Sequence, residues 1–295
     1  MNSIINAFKE DSMTKGLLCC LLLLMMISAL APIISPFDPY DPASIDILDA
    51  ELPPAWLDGD IRYWLGTDDQ GRDLLSTILY GLRLSLIIGL GAVVLQSLIG
   101  ISFGLLAGYY GGWVDSILMR FADIQLSFST LMVAIIVLAV VQSFFGPAVY
   151  NQLAMYMLIL VIGLAEWPQY ARTIRANVLA EKEKEYIQAA HVLGYGPIRI
   201  MLRHILPNTL TPILVISTLQ IANAIISEAA LSFLGLGMPL TEPSLGALIR
   251  SGFEYIFSGV WWITLLPGCV LVFLVLVINL LGDRLRDRLN PKLAN

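Results

Sequence analysis

Charged residues are scarce in this chain. Only 14% of its 295 residues are Asp, Glu, Lys or Arg, whereas 57% are hydrophobic. Soluble domains are close to half apolar and a quarter charged. This shortage of charge excludes an ordinary water-soluble domain and favours a chain that lies mostly in lipid. Because no basic stripe stands out on a soluble segment, a nucleic-acid partner is not expected.

Cysteine and histidine are also few, which limits the chemistry that the chain can perform. Cys19, Cys20 and Cys269 lie inside apolar runs, so neither a disulfide framework nor a zinc site is predicted. His191 and His204 do not form the His-x-x-x-His pair of a catalytic zinc site. No Lys follows a Gly, which excludes a Gly-x-x-x-x-Gly-Lys-Ser/Thr phosphate loop. An enzymatic role is therefore not expected.

Long apolar runs are abundant. A membrane helix needs about 20 mostly apolar residues, and six runs approach or exceed that length. They cover residues 16–34, 84–106, 126–145, 152–167, 210–234 and 260–281. None alternates like a strand of a membrane barrel, so all six are predicted to be helices. The fold class is therefore all-α, a polytopic membrane protein with about six transmembrane helices.

The first apolar run has two interpretations. Lys9 and Lys15 precede it, and Ala29-Leu30-Ala31 resembles the cleavage site of a signal peptide. The run is long, however, and Pro32 follows that site directly. We favour a helix that is retained in the mature protein.

Basic residues near the ends of the runs predict the orientation, because Lys and Arg concentrate on the cytoplasmic side. With the N-terminus in the cytoplasm, only Arg62, Arg72 and Arg250 fall clearly outside. Most of the others fall inside, namely Lys9, Lys15, Arg120, Arg172, Arg175, Lys182, Lys184, Arg199, Arg203, Arg284, Arg286, Arg288 and Lys292. Both termini are therefore predicted to be cytoplasmic. The chain divides into an N-terminal helix with an external segment (1–80), a membrane core (81–284) and a tail (285–295).

The internal loop at residues 172–208 is the most informative segment. Residues 181–193 are predicted to form a short amphipathic helix with Tyr186, Ala190 and Leu193 on one face. Gly194 is a natural stop for that helix, and Gly196-Pro197 prevents its continuation. A second short segment, 198–205, leads to Pro207 and the fifth run.

This loop resembles the EAA loop of binding-protein-dependent ABC importers. The family pattern is Glu-Ala-Ala, three residues, Gly, nine residues, Ile, one residue, Leu-Pro, and the chain keeps that spacing from Gln188 through Gly194 to Leu206-Pro207. Gln188 replaces the Glu, and His204 takes the Ile position. Further blocks resemble the C-type permeases of the dipeptide, oligopeptide and nickel systems. They are residues 65–73, 106–115, 203–208, 228–237 and 279–287.

The resemblance implies the type I ABC importer permease fold in the bacterial inner membrane. It also implies partners: a homologous B-type permease, two ATPase subunits that bind ATP and Mg, and a periplasmic or lipid-anchored substrate-binding protein. No cofactor is expected on this chain, and membrane lipid surrounds it. The substrates implied are dipeptides or oligopeptides, while glutathione, nickel chelates and antimicrobial peptides stay open.

The same resemblance assigns ATPase coupling to part of the loop. The residues are Glu185, Gln188, Ala189, Ala190, Gly194, Leu206 and Pro207. The alternative is a helix that lies on anionic lipid, attracted by Lys182, Lys184, Arg199 and Arg203. Glu181, Glu183 and Glu185 oppose that attraction.

Polar residues on the fifth run are candidates for the translocation path, because they are costly at membrane depth. Gln220, Asn223 and Ser227 share one helical face, and Glu228 follows. The alternatives are hydrogen bonds between helices and, for Glu228, a contact with the irregular Leu-Gly-Leu-Gly segment after it. A secondary transporter driven by an ion gradient is the main rival function, although no internal repeat is visible.

The external segment at residues 35–80 is acidic and rich in Pro. Its start, 36–42, is not expected to be helical, because each Pro lacks a donor and restricts its predecessor. Asp68, Asp69, Arg72 and Asp73 are expected to form a helix start with local ion pairing. The segment is a candidate contact for the binding protein or the second permease.

Overall fold

The described part of the chain is mostly α-helical. The computed structural model describes residues 12–41 and 45–289. Its helices are α1 Ser12–Ala29, α2 Ala31–Ile34, α3 Leu74–Tyr110, α4 Gly112–Leu126, α5 Thr130–Gly146, α6 Ala148–Lys182, α7 Glu185–Val192, α8 Pro197–Ile200, α9 Leu206–Phe233, α10 Leu245–Phe253 and α11 Trp262–Leu289. Within those residues, five helices are long and apolar enough to cross a membrane, or six if a bent pair counts as one span. The prediction of about six spans is therefore confirmed.

The predicted runs match helices, but their limits differ. The fourth run was predicted at residues 152–167, whereas α6 continues to Lys182. Polar residues of this extension are held by acidic residues of α4: Arg175 Nε lies 2.5 Å from Asp115 Oδ1, and Arg172 pairs with Asp123. The third run is the second arm of a bent pair, because α4 and α5 meet at 86° across residues 127–129. The domain boundary that we placed at residue 80 falls inside α3.

Small residues bring α3 and α6 into close contact. Gly100, Gly104 and Gly108 recur every four residues and therefore lie on one face of α3. A Cβ atom on Gly104 would lie 2.7 Å from the carbonyl oxygen of Ala171 and 2.7 Å from Ile174 Cβ. Only glycine fits this approach without a shift of α6. The stripe thus fixes the position of the α6 segment that leads into the loop.

The outer end of α3 is tied to its neighbours by polar contacts. Asp73 caps the helix by accepting from the amide of Ser76 at 2.8 Å, and burial raises the pKa of its carboxyl. The buried pair Asp68–Arg72 closes at 2.6 Å, and Arg72 Nη1 donates to the carbonyl of Leu240 at 2.8 Å. The predicted helix start with local pairing is confirmed. Residues 35–41 contain no helix, as their prolines predict.

The second loop segment is not separate from the fifth span. α8 runs through a π-helical turn, Met201–Ile205, directly into α9. Pro207 explains the wider turn, since it has no N–H to donate to the carbonyl four residues earlier. The sequence analysis treated residues 198–205 and the fifth run as two segments, whereas the structure joins them in one continuous helix. Any displacement of this segment is passed along one continuous helix.

Candidate functional site: the EAA hairpin and the polar face of α9

The EAA hairpin, residues 183–205, begins at a sharp break after α6. Lys184 is extended (φ −75°, ψ 145°) and precedes the first residue of α7, Glu185. The helix that we predicted over 181–193 is thus wrong at its start, because Glu181 belongs to α6. Gln188 Nε2 donates to the carbonyl of Glu183 at 3.2 Å and fastens the break. A carboxylate at position 188 has no donor for this bond.

The buried face of α7 differs from the predicted one. Ile187 and Ala190 are buried against Ile174, Val178 and Ile200 of the adjoining helices. Ala190 was predicted to face inwards, whereas Tyr186 and Leu193 prove to be exposed. The reason is length: α7 has eight residues, so only two apolar positions one turn apart reach the neighbouring helices.

A hydrogen-bonded latch joins the two ends of the hairpin. The hydroxyl of Tyr186 donates to Glu181 of α6, and Asn208 Nδ2 of α9 donates to that hydroxyl at 2.8 Å. Lys184 Nζ lies 2.6 Å from the second oxygen of Glu181. Burial, together with the bond to Glu181, raises the pKa of Tyr186, which keeps the hydroxyl protonated and able to donate. The latch therefore links α6, α7 and α9 at one point.

The far end of α7 has a defined geometry. Gly194 adopts φ 76°, its amide donates to the carbonyl of His191, and the amide of Tyr195 donates to that of Ala190. This is a Schellman motif, which requires a left-handed residue. The predicted stop at Gly194 is confirmed. The ring of Tyr195 stacks on the ring of His204, with 5.7 Å between their centroids. The guanidinium carbon of Arg199 lies 4.5 Å from the centroid of the same Tyr195 ring.

Exposed apolar side chains cover the tip of the hairpin. Val192 is 89% exposed, Leu193 70% and Ile198 67%. Among the predicted coupling residues, the exposed ones are Glu185, Gln188, Ala189, Gly194 and Pro207. Leu206 is half-buried and Ala190 is buried. Five of the seven assigned residues are thus exposed, and only Ala190 is fully buried.

The polar residues of α9 belong to a larger group, which we call the polar cluster: Gln96, Glu166, Gln169, Gln220 and Asn223. Asn223 donates to Gln220 Oε1 at 2.9 Å, and Gln220 Nε2 lies 3.4 Å from both Gln96 Oε1 and Glu166 Oε2. Gln220 is buried, Ser227 is half-buried and Asn223 is exposed. Two residues of the predicted face, Gln220 and Asn223, therefore belong to this cluster, and Asn223 lies at the exposed edge of the cluster.

Glu228 is separate from that face. Its side chain is fully buried, and its two oxygens accept from Ser232 at 2.6 Å and Ser85 at 2.9 Å. Ser232 Oγ in turn accepts from the amide of Met238 at 3.1 Å. The structure thus places Glu228 where it holds the Leu-Gly-Leu-Gly segment to α3, which was our alternative, and not on a surface that lines a path.

Several residues of these sites were missed by the sequence reasoning. Glu181, Tyr186 and Asn208 form the latch. Glu181 and Tyr186 belong to none of the motifs, and Asn208, which ends the block at 203–208, is 22 residues from Tyr186. Glu166 had one available signal, because a carboxylate within an apolar run is unusual. Its place in the predicted fourth run, 152–167, pointed to a span end and not to a polar cluster.

Comparisons with known proteins identify the family of this chain. Residues 100–295 match the family described as "Binding-protein-dependent transport system inner membrane component". The chain is 38% identical, over 98% of its length and 91% of the relative's, to the Di/tripeptide transport system permease protein DppC of Pseudomonas aeruginosa. It is 41% identical, over 97% of its length and 92% of the relative's, to the Dipeptide transport system permease protein DppC of Haemophilus influenzae.

A solved structure has a similar fold. It is a chain from the inward-facing MetNI methionine ABC transporter, with a TM-score of 0.53 and 19% identity over 73% of this chain and 96% of that one. The predicted importer permease fold is thereby confirmed. This chain belongs to the family of inner-membrane permease components of binding-protein-dependent transport systems.

Proposed function

We propose that this chain is one of two permease subunits of an ATP-driven importer that moves dipeptides or oligopeptides across the bacterial inner membrane. Its partners are a homologous B-type permease, two ATPase subunits that hold ATP and Mg, and a periplasmic or lipid-anchored binding protein. Both termini lie in the cytoplasm, as the distribution of Lys and Arg indicates. The peptide substrate is supported by the names of the two relatives that align with almost the whole chain.

The observation that carries the proposal is the contrast between the base and the tip of the EAA hairpin. The base is buried and latched, whereas Val192 and Leu193 at the tip are exposed apolar residues. Exposed apolar patches commonly mark interaction sites. A groove on an ATPase subunit is the partner that suits a short helix of this kind, since a helix binds a groove through a few apolar anchors.

The proposed mechanism is a shift of population between two permease states. Closure of the ATPase pair on ATP brings the two docked hairpins together, and α6 and α9 follow because the latch holds both to α7. The cavity then opens outwards, receives the peptide from the binding protein, and returns inwards after hydrolysis. Reversing a 1:99 ratio of states requires about 5.5 kcal/mol of differential binding. A rigid hairpin passes the displacement of its tip on to α6 and α9, whereas a flexible hairpin would move without displacing these helices.

Co-purification tests the docking. The chain is expressed with the second permease and the two ATPase chains of the same importer, and the complex is isolated in detergent. Val192→Asp is expected to remove the ATPase chains from the complex. Leu48→Asp is the matched control, because Leu48 is equally exposed (92%) but lies in the external segment. It is expected to keep both ATPase chains.

Two results would contradict the proposal. Retention of the ATPase chains by Val192→Asp would show that the tip does not dock. Peptide uptake by this chain alone, driven by an ion gradient and without ATPase chains, would make it a secondary transporter.

A further inference from the structure

Glu166 is a carboxylate near the end of the apolar part of α6, with no basic partner among the described residues. It lies six residues before Arg172, which pairs with Asp123 where α6 continues beyond its apolar run, so the two residues are about 9 Å apart along the helix axis. Trp167 beside it is buried and donates to Gln125 at 2.9 Å. None of the ion pairs formed by the described residues includes Glu166. An acidic residue at this depth calls for a functional explanation.

Its neighbours are amides, which stabilise the charge without neutralising it. Gln169 Nε2 donates to Glu166 Oε2 at 2.8 Å, and Gln220 Nε2 approaches the same oxygen at 3.4 Å. The Nε2 atom of the buried Gln96 has no partner within the described part of the chain. Because buried amides are normally saturated, the polar cluster retains unused hydrogen-bonding capacity.

The cluster opens onto the polar face of α9. Asn223, which donates to Gln220, and Gln169 are both exposed, and Glu166 between them is half-buried. Ser217, Gln220, Asn223 and Ser227 extend over ten residue-to-residue steps, or about 15 Å along the helix. This is half the thickness of the hydrocarbon core. A charged substrate that moves along this face would pass the carboxylate of Glu166.

We infer that Glu166 receives the ammonium group of a peptide as it crosses the permease. This inference rests on the proposed function, since a peptide with a free amino end supplies the cation that the polar cluster lacks. The amides of Gln169 and Gln220 spread the charge of the carboxylate, so the ammonium is attracted but not trapped. A site on a conduction path must bind weakly enough to release its ligand. Glu166 is thus a substrate contact within the path.

Charge and shape at position 166 can be separated by two substitutions. Glu166→Gln keeps the size and hydrogen-bonding capacity of the side chain but removes its charge, whereas Glu166→Asp keeps the charge and shortens the chain. Uptake of a neutral-side-chain dipeptide is measured in proteoliposomes with saturating binding protein and ATP. Glu254→Gln, at an exposed position in the external part of the chain, is the matched control.

The inference predicts that Glu166→Gln lowers the maximal uptake rate at least about tenfold, while Glu166→Asp stays within about threefold of wild type. The control is expected to equal wild type. A purely structural role would give the opposite order, with Gln better than Asp, and would overturn the inference. Absence of peptide uptake by the wild-type complex would instead refute the proposed function.

A thiol probe distinguishes a substrate path from a contact with the second permease. Asn223→Cys is prepared in a chain whose three cysteines are replaced by Ala. It is treated with methanethiosulfonates that carry either an ammonium or a sulfonate. The cationic reagent is expected to react about tenfold faster than the anionic one, and Glu166→Gln should abolish this preference.

Two results of the thiol experiment would overturn the inference. Protection of the introduced thiol from both reagents, with and without ATP and binding protein, would place this face of α9 against another subunit. A preference for the cationic reagent that persists in Glu166→Gln would show that the negative field comes from elsewhere.

Discussion

Replacement of Gly194 tests whether the geometry of the EAA hairpin transmits energy. Gly194 has φ 76°, and a Cβ atom built on it has no neighbour within 4 Å. A side chain at this position therefore causes backbone strain without any steric clash. Gly196 is the ideal control, because its Cβ is equally free of neighbours and its φ of −69° suits any residue.

The size of the effect follows from the left-handed conformation. That conformation costs a residue with a Cβ roughly 1–2 kcal/mol, and Asn less than others. Every 1.4 kcal/mol changes an equilibrium about tenfold. If strain is relieved by unwinding the last turn of α7, the ratio of intact to unwound Schellman motifs falls about five- to thirtyfold for Gly194→Val. Gly194→Ala should be intermediate, and Gly194→Asn nearest to wild type.

The assay is the number of ATP molecules hydrolysed per peptide imported in proteoliposomes. Gly194→Val is expected to raise this ratio about five- to tenfold, with the amount of assembled complex unchanged. Gly196→Val is expected to leave it unchanged. A wild-type ratio for Gly194→Val, or an equal increase for both valine variants, would refute the claim that the left-handed stop matters for coupling.

Three other substitutions test separate parts of the structure. Tyr186→Phe removes the hydroxyl of the latch, whose hydrogen bonds stabilise the hairpin by about 1 kcal/mol at this partly exposed position. The variant should raise the ratio of ATP hydrolysed to peptide imported. An unchanged ratio would show that the latch is dispensable. Gly104→Leu should prevent assembly, as judged by gel filtration, because its Cβ would lie 2.7 Å from Ile174 Cβ, whereas Gly268→Leu, at an open site, should assemble. Glu228→Ala should lower the thermal midpoint of the complex in detergent by several degrees, since lost bonds to buried hydroxyls cost about 1–3 kcal/mol. Ser227→Ala is the control. Equal midpoints for the two variants would argue against the role of Glu228 in holding the Leu-Gly-Leu-Gly segment to α3.

Hydropathy located the membrane helices well, because unpaired backbone polar groups are costly in lipid and a long apolar run therefore has few alternatives to a helix. It failed where a helix leaves the membrane but continues. The run at 152–167 ends where polar residues begin, yet α6 extends to Lys182 because its extension packs on the glycine stripe of α3 and pairs with Asp115 and Asp123. Those partners are 49 to 60 residues away in the sequence.

The local chemistry of the hairpin was predictable at one end only. Gly194 carries its own signal, since glycine tolerates the left-handed conformation. The break at residues 183–184 has no such signal: Glu181-Lys-Glu-Lys-Glu185 consists of good helix formers. The chain breaks there because α7 must turn to bury Ile187 and Ala190 between α6 and α8. Tertiary packing overrides intrinsic propensity at this point.

The polar face of α9 shows the same limit. Periodicity placed Gln220, Asn223 and Ser227 together, and they do lie along one side of the helix. Glu228 was a candidate only because it is polar and follows this face, and a shift of one position turns a helical side chain by about 100°. Glu228 therefore faces Ser85 on α3. The contact between Glu166 of α6 and Gln220 could not be predicted, because no short-range pattern joins residues 54 positions apart.

A single cross-linking measurement tests the central claim, that ATP-derived energy enters this subunit through the tip of the EAA hairpin. Val192→Cys is introduced into a chain whose three cysteines are replaced by Ala, and a thiol-bound photo-cross-linker is activated in the assembled importer. We expect a covalent product with an ATPase subunit whose yield changes when ATP is bound, and no such product from Leu48→Cys. Cross-links from position 192 to lipid alone, in every nucleotide state, would show that the tip does not dock on an ATPase subunit.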